Sequence, residues 1–233
     1  MTDVIATFTD RLYGEWLPEF CYSPHRNHSV EGFKDQSISK LSAFDAYWFL
    51  CAVDSGMVES KNGFLTAPLS KAKEQIFWTG RKTKSPRSIT LWVEPVITIG
   101  ALARLHNEFG WPIEKLGMQS QTWAFDLVGY GNSQNDEIMV CEVKKESKEI
   151  DTLLHHMKSY CDKLPLEIEL TDSREKNAYR KVQGIRRSWP RIFWALGPNG
   201  KGEIFKISKT SELLSFSLDV VKENSLRYKS GYG

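Results

Sequence analysis

Cysteine is scarce in this chain, long apolar runs are missing and net charge is almost nil. Each shortage narrows what the protein can be. Its 233 residues hold four cysteines, Cys21, Cys51, Cys141 and Cys161, with no close pairing. Cys141 falls in the middle of an apolar strand and Cys161 on the apolar face of a helix, so both read as small core residues of a reduced, intracellular protein. Cys21, His25 and His28 have a metal-like spacing, but a structural zinc site wants a fourth ligand. The only neighbour, Cys51, sits on the apolar face of a helix, which favours a polar loop. No apolar run reaches membrane length, and Met1-Thr-Asp-Val-Ile lacks the basic start and hydrophobic stretch of a signal sequence. Glycines 129 and 131 and the 198–202 turn lack the strand–loop–helix setting of a phosphate loop, and no nucleophile elbow is present. There is no internal repeat. A formal charge of +2 says nothing by itself about nucleic acid.

The distribution of charge says more. Arg81, Lys82, Lys84 and Arg87 form one basic segment. A second runs from Arg174 to Arg191 and includes Lys176, Arg180, Lys181, Arg186 and Arg187, with Glu175 its single acid. Such patches neutralise phosphates, and Tyr179 and Trp189 within the second could stack on bases; the alternative for either is a solvated face or loop.

Residues 1–90 and 91–233 read as different regions. In the first, Leu41–Val53 has helical spacing, with Leu41, Phe44, Trp48 and Cys51 on one side. A hairpin is expected from Val58 to Leu65 around Asn62-Gly63. Helix followed by hairpin is compatible with a winged-helix-like recognition element, and the basic segment 81–87 reads as a loop or linker. In the second, the expected elements are a helix over Thr98–Phe109 stopping at Gly110, a strand over Trp123–Tyr130, a strand over Glu137–Lys144, and a helix over Ser147–Asp162 ended by Leu164-Pro165. Two further strands, Arg191–Leu196 and Glu203–Ile207, flank the turn at Pro198–Gly202. The fold class is therefore α/β, a mixed sheet flanked by helices, with an N-terminal mainly helical region.

The chemistry concentrates on the two middle strands. The first carries Asp126 just past an aromatic run, and the second ends in Glu142-Val143-Lys144. Alternation along a strand puts Glu142 and Lys144 on one face and Val143 in the core. Two carboxylates on neighbouring strands suit a hard divalent cation such as Mg²⁺ or Mn²⁺, and a lysine beside them could orient or deprotonate a bound water, or stabilise charge on an attacked phosphate. Glu-x-Lys alone is a weak signal, since Glu59-Ser-Lys61 and Glu146-Ser-Lys148 also occur; only the middle triplet closes an apolar strand.

Over about 91–207 this order resembles the PD-(D/E)xK nuclease superfamily. The resemblance implies a restriction-endonuclease-like core, with Asp126 and Glu142 as metal ligands, the Val143 carbonyl as a further ligand and Lys144 as the catalytic lysine. Glu108 is the candidate for the acid that many members carry on the preceding helix. Phe125 stands where the family name has proline. The implied activity is metal-dependent hydrolysis of phosphodiester bonds, in DNA rather than RNA, with the basic segments gripping the backbone and a second copy or a protein partner possible. The alternative is a non-catalytic nucleic-acid-binding or assembly module of the same fold.

Overall fold

In a computed structural model, residues 3–163, 170–211 and 214–230 are described. The Asp3 carboxylate caps the first helix, α1 (Val4–Arg11), by accepting the Ile5 N–H. A π turn over Leu12–Trp16 leads into α2 (Leu17–Tyr22). They belong to the expected N-terminal helical region, though their individual bounds were not read from the sequence. Helix α3 (Ala43–Asp54) was expected, and Ser42 caps it through the Asp45 N–H at 3.0 Å. Strands β1 (Glu59–Lys61) and β2 (Phe64–Thr66) form the expected hairpin, with Asn62 and Gly63 both in the left-handed region its tight turn requires. A second hairpin, β3 (Phe77–Thr79) with β4 (Ile89–Leu91), carries the basic segment 81–87 as its connecting loop.

Helix α4 spans Val93–Asn107, beginning five residues before the expected start and ending as expected short of Gly110, whose φ is +72°. Its first turn holds Pro95, tolerated there because no intrahelical N–H is lost. The early start was hidden because the helix is buried nearly all round, so no polar face marks its first turns. It packs against α3 closely enough that a Cβ on Gly100 would lie 3.1 Å from Trp48 Cβ.

The central sheet contains β5 (Leu116–Met118), β6 (Leu127–Tyr130), β7 (Glu137–Val143), β8 (Ile192–Leu196), β9 (Gly202–Lys209) and β10 (Phe216–Val220). These six strands are neighbours in chain order, and every pair is antiparallel except β7 and β8. A parallel pair needs a crossover. Here it is made by α5 (Ser147–Lys158) and α6 (Ser173–Ser188).

Alternation sorts the strands into two buried layers. Leu127, Met139, Cys141, Val143, Trp194 and Leu196 face the layer that holds α4 and the N-terminal helices. Val128, Val140, Phe193, Ala195 and Phe205 face α5 and α6. The observed class is thus a mixed α/β fold, an N-terminal helical region and a central sheet flanked by helices.

Three readings need correction. The basic stretch 174–191, to which no element was assigned and for which a loop was the alternative, is mostly helix. The Asp172 carboxylate caps it through the Arg174 N–H at 2.7 Å and the Glu175 N–H at 3.1 Å. Trp123–Asp126 is not strand: Trp123 has φ +56°, and Ser120 Oγ accepts the N–H groups of Ala124 and Phe125, each at 3.1 Å, in a tight turn. Helix α5 stops at Lys158, and Cys161 is buried in the turn beyond it; Leu164 and Pro165, read as its stop, lie outside the described residues.

Candidate active site

Asp126 opens β6 rather than sitting within a strand. Antiparallel pairing then brings it beside the end of β7: its N–H reaches the Cys141 carbonyl at 3.0 Å, and its Oδ2 accepts the Val143 N–H at 2.8 Å. Glu142, 2% exposed, shares a face with Val140, so its carboxylate enters the layer beneath α6. Lys144 follows β7 and is held by its own N–H to the Leu196 carbonyl at 2.9 Å. Its ammonium touches Glu142 Oε1 at 2.5 Å and the Val143 carbonyl at 3.0 Å. The structure thus gathers Asp126, Glu142, Val143 and Lys144 at one point, where β7 and its parallel neighbour β8 both end.

A second lysine completes the group. Lys181 of α6, 3% exposed, bonds Glu142 Oε2 and the Ala124 carbonyl. It was read as a phosphate contact on a basic surface, yet it is the central cation of the site. The signal was present. Ala178, Val182 and Ile185 make a buried helical stripe, and Lys181 falls inside it.

Burial drives the electrostatics. It raises the Asp126 carboxyl to about 8, helped by the Glu142 charge and opposed by Lys181, Lys144 and the Val143 N–H. Burial alone would raise Glu142 too, but Lys181 and Lys144 overcome it and hold that carboxyl below its ordinary value. For Lys144, burial pulls downward and Glu142, then Asp126, outweigh it, so the ammonium is held above its usual range. Lys144 is thus held as the charged partner of Glu142. Two lysines meet Glu142, beside an Asp126 carboxyl that burial holds far above its ordinary value.

Two carboxylates and a carbonyl are the hard oxygen donors that Mg²⁺ or Mn²⁺ prefers, and in this structure Glu142 Oε1 and the Val143 carbonyl both take the Lys144 ammonium. Among the described residues no three His, Cys, Asp or Glu side chains cluster as metal ligands. Glu108 does not join the site. It follows the last turn of α4 and pairs with Arg104 at 2.9 Å, about 21 Å along the helix from Glu94 at the other end. Glu94 is the acid of α4 whose charge reaches Lys144, and the Trp92 indole N–H donates to it at 3.3 Å. Sequence reasoning missed Glu94 because the helix was started five residues too late.

No family model, curated protein or solved structure matches this chain. The site must be argued from its own geometry.

Two hollows flank it. One of about 430 Å³ is lined by Lys144, Lys148, Arg174 and Asn177 among others. The second, about 620 Å³, is lined by Lys40, Trp78, Trp92, Glu94, Lys145 and Glu146. Of the remaining basic residues, Arg81, Lys82, Lys84, Arg180 and Arg187 are exposed. Arg87 is half-buried and donates to the Gly80 carbonyl at 2.7 Å. Arg186 is not available to phosphate: it is buried and donates to the carbonyls of Leu214, Tyr160 and Lys163. Cys21 is fully buried in the N-terminal core, and among the described residues no helix is long and apolar enough to cross a membrane.

Proposed function

We propose that this chain is a metal-dependent nuclease that hydrolyses phosphodiester bonds in DNA. The observation that carries the reading is the convergence of Asp126, Glu142 and the Val143 carbonyl with Lys144, at the end of a buried strand between two open, lysine-bearing hollows. The order of helix, antiparallel strands, crossover helices and parallel strand supports the likeness to the PD-(D/E)xK nucleases on which the assignment draws. Asp126, Glu142 and the Val143 carbonyl would hold Mg²⁺ or Mn²⁺, which when bound supplies charge neutralisation and a polarised water. Lys144 stabilises negative charge on the attacked phosphate with a preorganised ammonium. Lys181 holds Glu142 in place through its second oxygen. Glu94 takes the helix-borne role first given to Glu108. Arg174 and Lys148 line the approach to Lys144, and Arg81, Lys82 and Lys84 reach the backbone further out.

The decisive experiment is cleavage of supercoiled plasmid and of single-stranded DNA with Mg²⁺, Mn²⁺ or EDTA. Wild type should nick in a metal-dependent way, and Asp126→Ala and Lys144→Ala should each lose at least about 100-fold of that rate. A wild-type protein silent on both substrates in both metals rejects the reading.

One observation favours a second reading. Both Glu142 oxygens are already taken by lysines, as in an anion-binding module without catalysis. Such a module would bind DNA in EDTA with steep salt dependence and cut nothing.

A further inference from the structure

Strand alternation splits the β3–β4 hairpin into two faces. Phe77, Ile89 and Leu91 are buried in the core, while Trp78 and its cross-strand partner Thr90 face outward. Trp78 is 60% exposed, the most exposed tryptophan among the described residues. It is not a stray surface ring. It stands edge-to-face with Trp92 at 5.9 Å and lines the 620 Å³ hollow together with Lys40, Lys145, Glu94 and Glu146. That volume lies within the usual range of ligand pockets.

We propose that Trp78 stacks an unpaired base of a DNA strand in this hollow, while the 81–87 loop of the same hairpin carries the strand's phosphates. The inference rests on the nuclease reading only for the identity of the strand. Two features recommend a nucleotide. First, an aromatic face is backed by a second aromatic ring, so it is fixed in orientation before any ligand arrives. Second, the stacking surface and the cations belong to one hairpin. Arg81, Lys82 and Lys84 are exposed on its loop, which the Gly80 N–H to Ser88 carbonyl bond at 2.8 Å closes two residues after Trp78. The wall of the hollow mixes two lysines with two glutamates, which suits a neutral base and leaves the phosphates to the loop. A base already stacked within a duplex has no free face to offer, so the occupant is a single strand, a flap or a frayed end. Lys145, on the wall, directly follows Lys144, so a base seated on Trp78 lies next to the scissile region.

The test is binding, measured in EDTA by fluorescence anisotropy with labelled oligothymidylate, a blunt duplex and oligouridylate. Trp78→Ala should weaken oligothymidylate binding roughly 5- to 100-fold, the span expected for loss of one stacked base. Trp78→Phe should retain most of the affinity, and duplex binding should barely change. Tyr22→Ala, removing another exposed aromatic, should behave as wild type. The proposal fails if Trp78→Ala binds oligothymidylate as wild type does, if single strand and duplex weaken equally, or if oligouridylate binds more tightly than oligothymidylate. Because no cutting is required, the two readings separate. Trp78-dependent binding with no cleavage of plasmid or single strand in either metal overturns the nuclease and keeps this site. Nicking with Trp78→Ala binding intact overturns this site alone.

Discussion

At the scale of the residue, the centre of the molecule is an unusually dense set of charges. Asp126 illustrates the cost. Its folded pKa of about 8 stands well above the value of about 3.9 expected unfolded. A raised folded pKa means the native state binds the proton more tightly, so the contribution of this group to stability is greatest at low pH and declines as pH rises from about 4 through about 8. In EDTA, Asp126→Asn should therefore raise the melting temperature more at pH 8 than at pH 5. The gain should correspond to about 2 kcal/mol once screening by solvent at this partly open carboxyl is allowed for. Equal shifts at both pH values would show that the ionised carboxylate is not what strains the fold. Lys181 carries the opposite sign. Lys181→Met keeps the apolar stem but leaves one Glu142 oxygen buried without its cation. The expected loss is about 2–4 kcal/mol in urea unfolding, with Lys144 still holding the other oxygen. Adding Glu142→Gln to that variant should return part of the loss; a strictly additive double variant would mean the pair is not coupled.

At the scale of the element, α6 decides whether the site exists. It passes so near the Asp126 turn that a Cβ on Gly184 would lie 2.6 Å from Ala124 Cβ and 3.0 Å from the Phe125 ring. Gly184→Val should cost about 3 kcal/mol by overpacking and, on the proposed function, slow plasmid nicking without removing a single charged group. Gly14→Ala, where nothing lies within 4 Å, should be neutral or stabilise by up to about 1 kcal/mol. If Gly184→Val melts like wild type, the helix does not pack as described. This helix also shows where the sequence was opaque. Its charged residues outnumber the apolar stripe of Ala178, Val182 and Ile185, so composition spoke louder than period. By contrast, β7 was legible as Ile138–Cys141 followed by Glu-Val-Lys, and α5 as Ile150, Leu153, Leu154 and Met157, because in both the apolar pattern is unbroken. Strand β5 is three residues long and leaves too little pattern to read, and the turn at Trp123 hid behind aromatic residues that favour strands. That Asp126, Glu142 and Lys144 lie together was legible because pairing of adjacent strands is a local event. Lys181, 39 residues from Glu142, arrives through a crossover that no local pattern announces.

At the scale of the whole molecule, the first ninety residues and the sheet share a buried layer. Phe8, Trp16 and Phe49 belong to the same apolar cluster as Leu127, Met139, Trp194 and Leu196. Polar ties reinforce it: Asp45 of α3, which bonds the Ser42 hydroxyl at 2.6 Å, also accepts the Asn199 N–H at 2.8 Å in the turn between β8 and β9. Helix α4 is the joint. Its buried residues run from Val93 to Leu105 and face α3 on one side and the sheet on the other. Residues 91–233 expressed alone would therefore expose the α3-facing side of α4, several large side chains at about 1.5–3 kcal/mol each. Against a typical domain stability of about 5–15 kcal/mol, that loss is enough to unfold the remainder. The expected outcome is that the fragment is insoluble or shows no cooperative melt by circular dichroism, while the full chain unfolds in one transition. A fragment that melts cooperatively and nicks DNA would instead make residues 1–90 a removable recognition unit, and the shared layer would be an interface between two domains rather than one core.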